Sequence, residues 1–423
     1  MKNLETLIQE LCPDGVEFVK FKECCEYVRG ITYNKSKEVF DENERAWNVL
    51  RANNITLSNN YLNFDDVKRV SIGVKVKDSQ LLKCGDILIC AGSGSKDHIG
   101  KVAYIDKDMD CTFGGFMAVI RSSIINTRFL FHILTGSSFK KYLSLALNSS
   151  TINNLNSSVM GNFEIPLPPL EVQTEIVRIL DKFTSLEAEL EAELDCRKRQ
   201  YEYYRDKLLS FENAGGQEVE WKKMSEVIYS INTGLNPRRF FRLNTPDATN
   251  YYVTIREMKN GNIIFSDDTD KINNEAMKLC NNRSNLEKGD LIFSGTGTIG
   301  QIVVLKETPT NWNIKEGLYA LKPIKEVIDS KFLAYILNES SIRKAYTKKA
   351  LGGTVKSVPM KVLTSIKLPI PSLREQQRIV SILDRFESLT TSLQSGLPAE
   401  IAARRQQYEY YRDKLLTFKR KTA

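Results

Sequence analysis

The 423-residue sequence lacks the features that mark several classes of protein. No apolar run reaches the roughly 18 residues of a transmembrane helix, and the polar stretch 1–11 is unlike a signal peptide. There are two histidines, His98 and His132, and the eight cysteines form no CxxC pair. We therefore expect neither a metal site nor a membrane contact, and scattered thiols of this kind favour a reducing, cytoplasmic location.

Catalytic signatures are also missing. The GxGxxG run at 295–300 is followed by the β-branched stretch 301–305, whereas a dinucleotide-binding fold needs a helix there. We therefore predict a strand–loop–strand connection at this run. Gly100-Lys101 lacks the preceding glycine and the following Ser/Thr of a P-loop, and no adenine-methyltransferase tetrapeptide or nucleophile elbow occurs. We expect no catalytic centre and no cofactor bound by this chain. The competing hypothesis, a nucleotide-dependent enzyme built on GxGxxG, predicts that the isolated chain binds a cofactor.

What the sequence does contain is a long internal repeat. YEYYRDKLL occurs at 201–209 and again at 408–416, and the stretch 170–183 recurs in similar form at 373–386. A repeat on this scale determines the architecture. We predict an α+β fold, a tandem duplication of a β-rich globular domain followed by a long helix. The predicted boundaries are 1–166 and 213–368 for the globular domains and 167–212 and 369–423 for the helices.

The repeated stretches predict long amphipathic helices. Between Glu171 and Phe211 there is no proline or glycine, so a helix of about 41 residues and roughly 60 Å is expected. Its apolar residues recur at heptad spacing, and a lone helix cannot bury such a stripe. We expect the two helices to pack as an antiparallel coiled coil; the alternative is that each packs on its own globular domain. The predicted packing residues are Val172, Ile176, Ile179, Phe183, Leu186 and Leu190, with Ile379, Ile382, Phe386 and Leu389 in the second copy.

The second helical stretch contains an interruption. Relative to the first copy it has four additional residues near Ser395–Pro398, where Gly396 and Pro398 are expected to break or kink the helix.

Charge and the clustering of basic with aromatic residues point to nucleic acid. The net charge is +8, with the excess in the globular parts, which is compatible with phosphate contacts. Any one cluster is also what a solvated surface shows, but clusters recur at similar places in both globular parts. Such residues suit backbone neutralisation and base-edge contacts. The predicted DNA-binding residues are Tyr33, Lys35, Lys37, Arg51, Lys140 and Lys141 in the first part and Arg238, Arg239, Arg242, Arg256, Lys348 and Lys349 in the second, with Arg51 and Arg256 as a matched pair.

The duplicated plan, the Pro-Leu-Pro-Pro-Leu entry at 166–170 and the Tyr-Arg-Asp-Lys-Leu-Leu ending of both helices resemble the specificity (HsdS-like) subunit of type I restriction–modification enzymes. The resemblance covers the whole chain. It implies two target recognition domains, each binding one half of an asymmetric bipartite double-stranded DNA sequence, with helices that set the spacer. It also implies a prokaryotic cytoplasmic complex with two modification (methyltransferase) subunits and with restriction (translocase/nuclease) subunits.

In such a complex the specificity chain is not an enzyme. The resemblance implies that S-adenosylmethionine, ATP and Mg²⁺ are held by the partner subunits. The alternative hypothesis from another class is a coiled-coil scaffold that links two non-DNA ligand-binding domains, and sequence-independent behaviour toward DNA would favour it.

Overall fold

The computed structural model describes residues 4–56, 59–93, 98–148, 154–211, 219–353, 355–391 and 396–421, with the backbone alone at 148, 238, 390 and 391. The chain divides into two units. The first unit comprises Met1–Glu189 together with Ile401–Ala423, and the second comprises Leu190–Glu400. Each unit thus contains a globular part together with portions of the two predicted helical segments, 167–212 and 369–423. The predicted boundaries instead treated the globular parts and the helices as separate domains.

The elements of the first unit follow the chain from residue 4 to the long helix. They are α1 (Leu4–Leu11), β1 (Glu17–Lys20), α2 (Phe21–Cys24), β2 (Glu26–Arg29), β3 (Ala46–Leu50), β4 (Lys68–Ser71), β5 (Ile87–Cys90), β6 (Val102–Tyr104), β7 (Cys111–Phe113), β8 (Met117–Arg121), α3 (Thr127–Thr135), α4 (Ser137–Asn148), α5 (Ser157–Gly161), β9 (Glu164–Leu167) and the start of α6 (Leu170–Ser210).

The second unit contains the rest of α6 and the elements that follow it. They are β10 (Glu220–Lys223), β11 (Ile228–Thr233), α7 (Pro237–Phe240), β12 (Asn250–Val253), β13 (Met258–Lys259), β14 (Asn262–Ile263), β15 (Lys271–Ile272), α8 (Asn274–Ser284), β16 (Leu291–Ser294), β17 (Ile302–Val304), β18 (Trp312–Ile314), β19 (Leu318–Pro323), α9 (Ser330–Asn338), α10 (Ser340–Thr347), α11 (Met360–Thr364), β20 (Lys367–Ile370) and α12 (Leu373–Thr391); α13 (Leu397–Leu415) then leads back into the first unit.

Both units build the same sheets in the same strand order. A four-stranded antiparallel sheet has the order β2-β8-β5-β6 in the first unit and β11-β19-β16-β17 in the second. A three-stranded sheet has the orders β4-β3-β7 and β15-β12-β18, and its middle strand pairs antiparallel with the first strand and parallel with the third. Each unit also has one equivalent two-stranded pair, β1-β9 in the first and β10-β20 in the second, and the second unit has an additional antiparallel pair, β13-β14. The predicted duplication of an α+β domain is confirmed, and the GxGxxG run connects the antiparallel strands β16 and β17, as predicted.

A glycine at the same place in each unit lets two segments approach closely. A Cβ atom at Gly30 would collide with the carbonyl oxygens of Phe113 and Gly114, and one at Gly234 with the carbonyl oxygen of Ile314. Because only glycine fits there, the segments after β2 and β11 can lie directly against the ends of β7 and β18.

A buried glutamine near the start of each helical repeat fastens it to its globular part. Gln173 donates through Nε2 to the Pro168 carbonyl at 2.8 Å and accepts through Oε1 from the Asn126 N–H at 3.0 Å. Gln376 makes the equivalent bonds to Pro371 and Asp329, at 2.9 and 2.8 Å. A side chain that satisfies buried backbone groups at both of its ends holds its helix at a defined angle.

Helix α6 has 41 residues, the predicted length, and its second copy is interrupted as predicted, with α12 ending at Thr391 and α13 starting at Leu397. Gly396, just before α13, has a φ of 82°. In the first unit α6 and α13 run antiparallel, since Phe183 stacks on Tyr411 and Glu187 binds Arg405 at 2.6 Å.

The YEYYRDKLL nonapeptide makes the same contacts in both units. In the first unit Tyr408 and Arg412 are buried, and the Asp413 carboxylate accepts from the Ser137 N–H at the start of α4 at 3.2 Å. In the second unit Arg205 is buried and Asp206 accepts from the Ser340 N–H at the start of α10 at 3.3 Å. Anions at helix N-termini are stabilised by the unpaired N–H groups there, so the repeated Asp has a direct structural reason.

A buried histidine links α3, α6 and α13 in the first unit. His132 is fully buried, with Nε2 2.8 Å from Asp181 Oδ1 and Nδ1 2.9 Å from the Tyr408 hydroxyl. Burial lowers the pKa of His132, although the hydrogen bond to Asp181 opposes this, and burial raises the pKa of Tyr408. The neutral imidazole therefore donates to Asp181 and accepts from Tyr408.

Candidate nucleic-acid interface

A groove of about 1000 Å³ lies in the first unit where the segments that follow β2, β3, β5 and β7 meet. Its lining brings together three of the predicted DNA-binding residues, Tyr33, Lys35 and Arg51. The ring of Phe116, which is 73% exposed, stands at the same groove. The groove thus combines cations, hydrogen-bond donors and an uncovered aromatic ring, the combination that suits a nucleic-acid surface.

Arg29, at the end of β2, holds the segments on two sides of this groove. Its Nη2 donates to the Gly115 carbonyl at 2.8 Å, and its Nη1 donates to Asn154 Oδ1 and the Leu155 carbonyl, both at 3.3 Å. A Cβ atom at Gly115 would lie 2.6 Å from Thr32 Cγ2, so this loop is tightly packed against the segment after β2. The groove wall is therefore fixed by polar contacts that span the domain.

Arg51 follows β3 directly and begins a tight 3-10 turn at Ala52–Asn54. Its backbone N–H donates to Oδ1 of the fully buried Asn54 at 2.8 Å. Its guanidinium Nη2 donates to Asp66 Oδ2 at 2.8 Å, and Asn53 Nδ2 reaches the same oxygen at 3.1 Å. Within the described residues the buried Nε of Arg51 has no hydrogen-bond partner.

The buried side chain of Lys101 holds the 3-10 turn at Ala52–Asn54 in place. Its Nζ donates to the carbonyls of Ala52 and Ile55, at 2.8 and 2.7 Å, and burial lowers the pKa of the ammonium group. A buried ammonium bound to carbonyl oxygens satisfies polar groups that water would otherwise have to reach. Burial also raises the pKa of Tyr33, so its hydroxyl stays protonated at neutral pH.

The second unit presents a different set of side chains on the same framework. Leu235 forms a parallel β-bridge with Lys315, as Ile31 does with Gly114. Arg239 therefore lies five residues after Gly234, just as Lys35 lies five residues after Gly30. Arg239, Arg242 and Arg256 are exposed. The side chain of Arg238 lies outside the described part, although its backbone belongs to α7.

Comparison with known proteins identifies this arrangement. The family model for the type I restriction modification DNA specificity domain matches the chain twice, at residues 13–195 and 217–403. The chain belongs to this family. It therefore has a DNA-recognition role in a type I restriction–modification system and does not itself carry out catalysis, as the sequence predicted.

Relatives of the specificity subunit support the assignment. The chain is 35% identical over 264 residues to the Escherichia coli type I restriction enzyme EcoR124I/EcoR124II specificity subunit, covering 60% of this chain and 63% of that relative, less than two thirds of its length. It is 33% identical over 303 residues to the putative type I restriction enzyme specificity subunit S.HindORF215P of Haemophilus influenzae, covering 70% and 73%. A solved structure concerned with complex assembly and conformational transition of the type I R-M system matches in fold, with a TM-score of 0.57 and 18% identity over 95% of this chain and 97% of its own.

The match between Arg51 and Arg256 in this specificity subunit is offset by two residues. Arg51 comes directly after β3, whereas Thr254 holds that place after β12, and Arg256 lies within the following 3-10 turn, at the place of Asn53. The two turns are equivalent because Asn54 and Glu257 accept from the backbone N–H of Arg51 and Thr254 in the same way. An apolar run in the sequence shows roughly where a strand ends, but not the exact residue.

The predicted lysines are distributed over more than one surface. Lys37 is exposed on the turn that also carries Lys35. Lys140 and Lys141 are exposed on α4, and Lys140 lines a separate cavity of about 740 Å³. Lys348 and Lys349 are exposed just after α10, one turn beyond the place equivalent to Lys141. Their role in DNA binding stays a prediction.

The predicted helix-packing residues contact different parts of the protein along the length of the helices. Val172 and Ile176 are fully buried in the core of the first unit, and Ile379 is buried in the core of the second, so these turns pack on globular parts. Phe183 and Phe386 instead stack on tyrosines of helices, Tyr411 and Tyr204, within their own units. Half-buried members of this set are Ile179, Ile382 and Leu190, and exposed ones are Leu186 and Leu389.

Several residues of the interface carry no sequence signal. Arg29, Asp66 and Phe116 have no recurring motif around them, and the contacts of Arg29 and Asp66 are with other segments of the chain. Among the described residues, no group of three or more His, Cys, Asp or Glu side chains is arranged to hold a metal ion. Across that same part of the chain, no helix is both long and apolar enough to span a membrane.

Proposed function

We propose that each unit recognises one half of a bipartite, asymmetric DNA target. The first unit would bind through the groove at Lys35 and Arg51, and the second through the segments that carry Arg239 and Arg256. The observation that carries this proposal is the shared strand framework, on which the two units display different donors at equivalent places. In such an arrangement the framework positions the protein and the variable side chains provide sequence specificity.

We further propose that the helices set the spacer between half-sites and dock two copies of a modification (methyltransferase) subunit, with restriction subunits joining that core. Equivalent exposed tyrosines support two equal docking places. Tyr203 in the second unit and Tyr410 in the first are 61% and 63% exposed, and each lies edge-on to the next tyrosine at 5.3 Å. Exposed aromatic residues are enriched at protein interfaces, and a duplicated surface suits two identical partners.

Cofactor chemistry is part of the same proposal. The partner subunits hold S-adenosylmethionine, ATP and Mg²⁺, and the specificity subunit supplies the DNA sequence preference. Its place is the prokaryotic cytoplasm, where its DNA target is located.

The decisive experiment maps methylated adenines in host DNA with the methyltransferase partner expressed alone, with this chain, and with a variant whose residues 13–166 come from a different specificity subunit. We expect a bipartite motif that needs this chain and whose one half changes in the exchanged variant. If an assembled complex gives no motif, the scaffold hypothesis is favoured. If the exchange alters both halves or neither, the assignment of one half-site to each unit fails.

Docking is tested separately with Tyr203→Ala and Tyr410→Ala. Each single variant is expected to retain one methyltransferase copy and the double variant none, as counted by native mass spectrometry. Tyr229→Ala is the control, since Tyr229 is equally exposed but lies on β11, away from the repeated motif. Full occupancy in the double variant would contradict the docking assignment.

A further inference from the structure

An arginine held by an aspartate occurs in the first unit. The Arg51 guanidinium binds Asp66 through Nη2 alone, at 2.8 Å to Oδ2 and 3.3 Å to the carbonyl. Nε is buried without a partner, and within the described residues Nη1 makes no hydrogen bond, so the Nη1 side of the guanidinium remains open. The side chain is 34% exposed and faces the groove.

The second unit contains the same pairing from a different backbone position. Arg256 binds Asp270 Oδ2 through Nη2 at 3.2 Å, and Asn244 holds the other carboxylate oxygen at 2.8 Å. Its Nε lies 3.4 Å from Thr254 Oγ1, while Nη1 again has no partner in the described part of the chain. The Arg256 side chain is 60% exposed.

Each aspartate comes from the segment just before the strand that pairs antiparallel with the middle strand of its sheet. Asp66 lies two residues before β4 and Asp270 directly before β15, and these strands pair with β3 and β12. By the strand registers, both the arginine and the aspartate of the second unit are displaced by two residues relative to the first, yet in each unit the aspartate accepts from Nη2. The two units therefore make the same kind of pair from different backbone positions.

The chemistry of such a pair favours one base. An exposed arginine side chain is flexible, and fixing it for binding costs conformational entropy. A carboxylate that holds one Nη group orients the planar guanidinium in advance and leaves the other Nη group, with its two N–H donors, to bind another partner. In the major groove two neighbouring acceptors for such donors are offered by guanine, at O6 and N7.

We propose that Arg51 and Arg256 each recognise a guanine, one in each half-site, and that Asp66 and Asp270 are the positioning residues that orient them. The inference rests on the proposed function, because it needs each unit to contact its own half-site in the major groove.

The test uses the assembled complex of this chain with its methyltransferase partner, and duplexes of the mapped target in which each guanine is replaced in turn. 7-Deazaguanine removes the N7 acceptor and keeps base pairing, and inosine is the matched control because it keeps O6 and N7. The wild-type complex is expected to lose roughly 5- to 150-fold in affinity, the usual discrimination of a bidentate contact, at one 7-deazaguanine in each half-site.

Variants then assign each guanine to one arginine. Arg51→Ala is expected to bind normal and 7-deazaguanine duplexes equally at one position of one half-site, and Arg256→Ala at one position of the other. Arg51→Met keeps much of the side-chain length and loses every donor, so it should lose the same sensitivity even if the alanine variant fails to assemble. Asp66→Asn should reduce the sensitivity at the Arg51 position alone. The controls are Arg45→Ala, at the opposite end of β3, and Lys259→Ala, exposed on β13, which should keep both sensitivities.

The inference is overturned if a half-site contains no guanine, if wild-type affinity is indifferent to 7-deazaguanine throughout, or if the arginine variants keep the wild-type sensitivity. These results are distinct from failure of the proposed function. Exchange of residues 13–166 could still change the sequence of one methylated half-site while Arg51→Ala leaves the sensitivity to 7-deazaguanine unchanged. In that case the units recognise DNA through other residues, and only the guanine assignment is wrong.

Discussion

Replacing Tyr408 by phenylalanine is expected to loosen the first unit while leaving the second unchanged. The substitution removes one hydroxyl group, which donates to the fully buried His132 Nδ1 at 2.9 Å. The ring and its packing remain, so the cost is that of an unsatisfied buried acceptor, about 1–3 kcal/mol. That cost corresponds to a roughly 5- to 150-fold rise in the population of locally open forms.

Amide hydrogen exchange measures this effect in each unit separately, which a single unfolding transition of a chain this long does not. Peptides from α3 and α13 should exchange faster in Tyr408→Phe, whereas peptides from α9 should not change. A double-mutant cycle with His132→Phe should give a coupling of about 0.5–3 kcal/mol, because removing both partners leaves nothing unsatisfied at Nδ1. Equal exchange in wild type and variant, or additive effects in the cycle, would refute the assigned hydrogen bond.

Further outcomes follow from the same structure. Burial holds the pKa of His132 below the unfolded value of about 6.5, so the unfolded chain binds more protons in acid; protection of α3 should fall as pH drops from 7.5 to 5.5, and His132→Gln should flatten that profile. Deleting residues 186–189, whose four-residue pattern is repeated at 190–193, shortens α6 by about 6 Å and should change the methylated spacer by about one or two base pairs; an unchanged spacer would refute the role of the helix as a ruler. Arg29→Met should weaken recognition of one half-site by releasing the Gly115 and Leu155 carbonyls, with an intact second half-site as the internal control in methylation mapping. The isolated chain should bind neither S-adenosylmethionine nor ATP in calorimetric titrations, and micromolar binding of either would revive the nucleotide-enzyme hypothesis.

The helical architecture was predictable because its signals are local and occur twice. Heptad spacing and the absence of proline predicted α6, and Gly396 and Pro398 predicted its interrupted copy. The repeated nonapeptide indicated the duplication, but not the contacts that its residues make. Those contacts were not predictable from local sequence, since Asp413 and Ser137 are 276 residues apart and meet only in the folded chain.

The interface was predictable only in part for the same reason. Tyr33, Lys35 and Arg51 share a groove, but residue type could not separate them from Lys140, which lines another cavity. The residue that completes the arginine site, Asp66, is an ordinary acidic residue in the sequence. Its importance comes from the pairing of β4 with β3, which no local pattern encodes.

The return of α13 to the first unit has a consequence for synthesis on the ribosome. Segment 419–421 pairs with Val16 through backbone hydrogen bonds of 2.8 and 2.9 Å, and Arg420 contacts Glu164 and the ring of Phe18. Although most of the first unit is synthesised before the second, it cannot be completed until segment 419–421 has emerged. The second unit, contiguous from Leu190 to Glu400, has all its residues earlier. Domains generally fold in the order of synthesis, but here the domain made first is the one completed last.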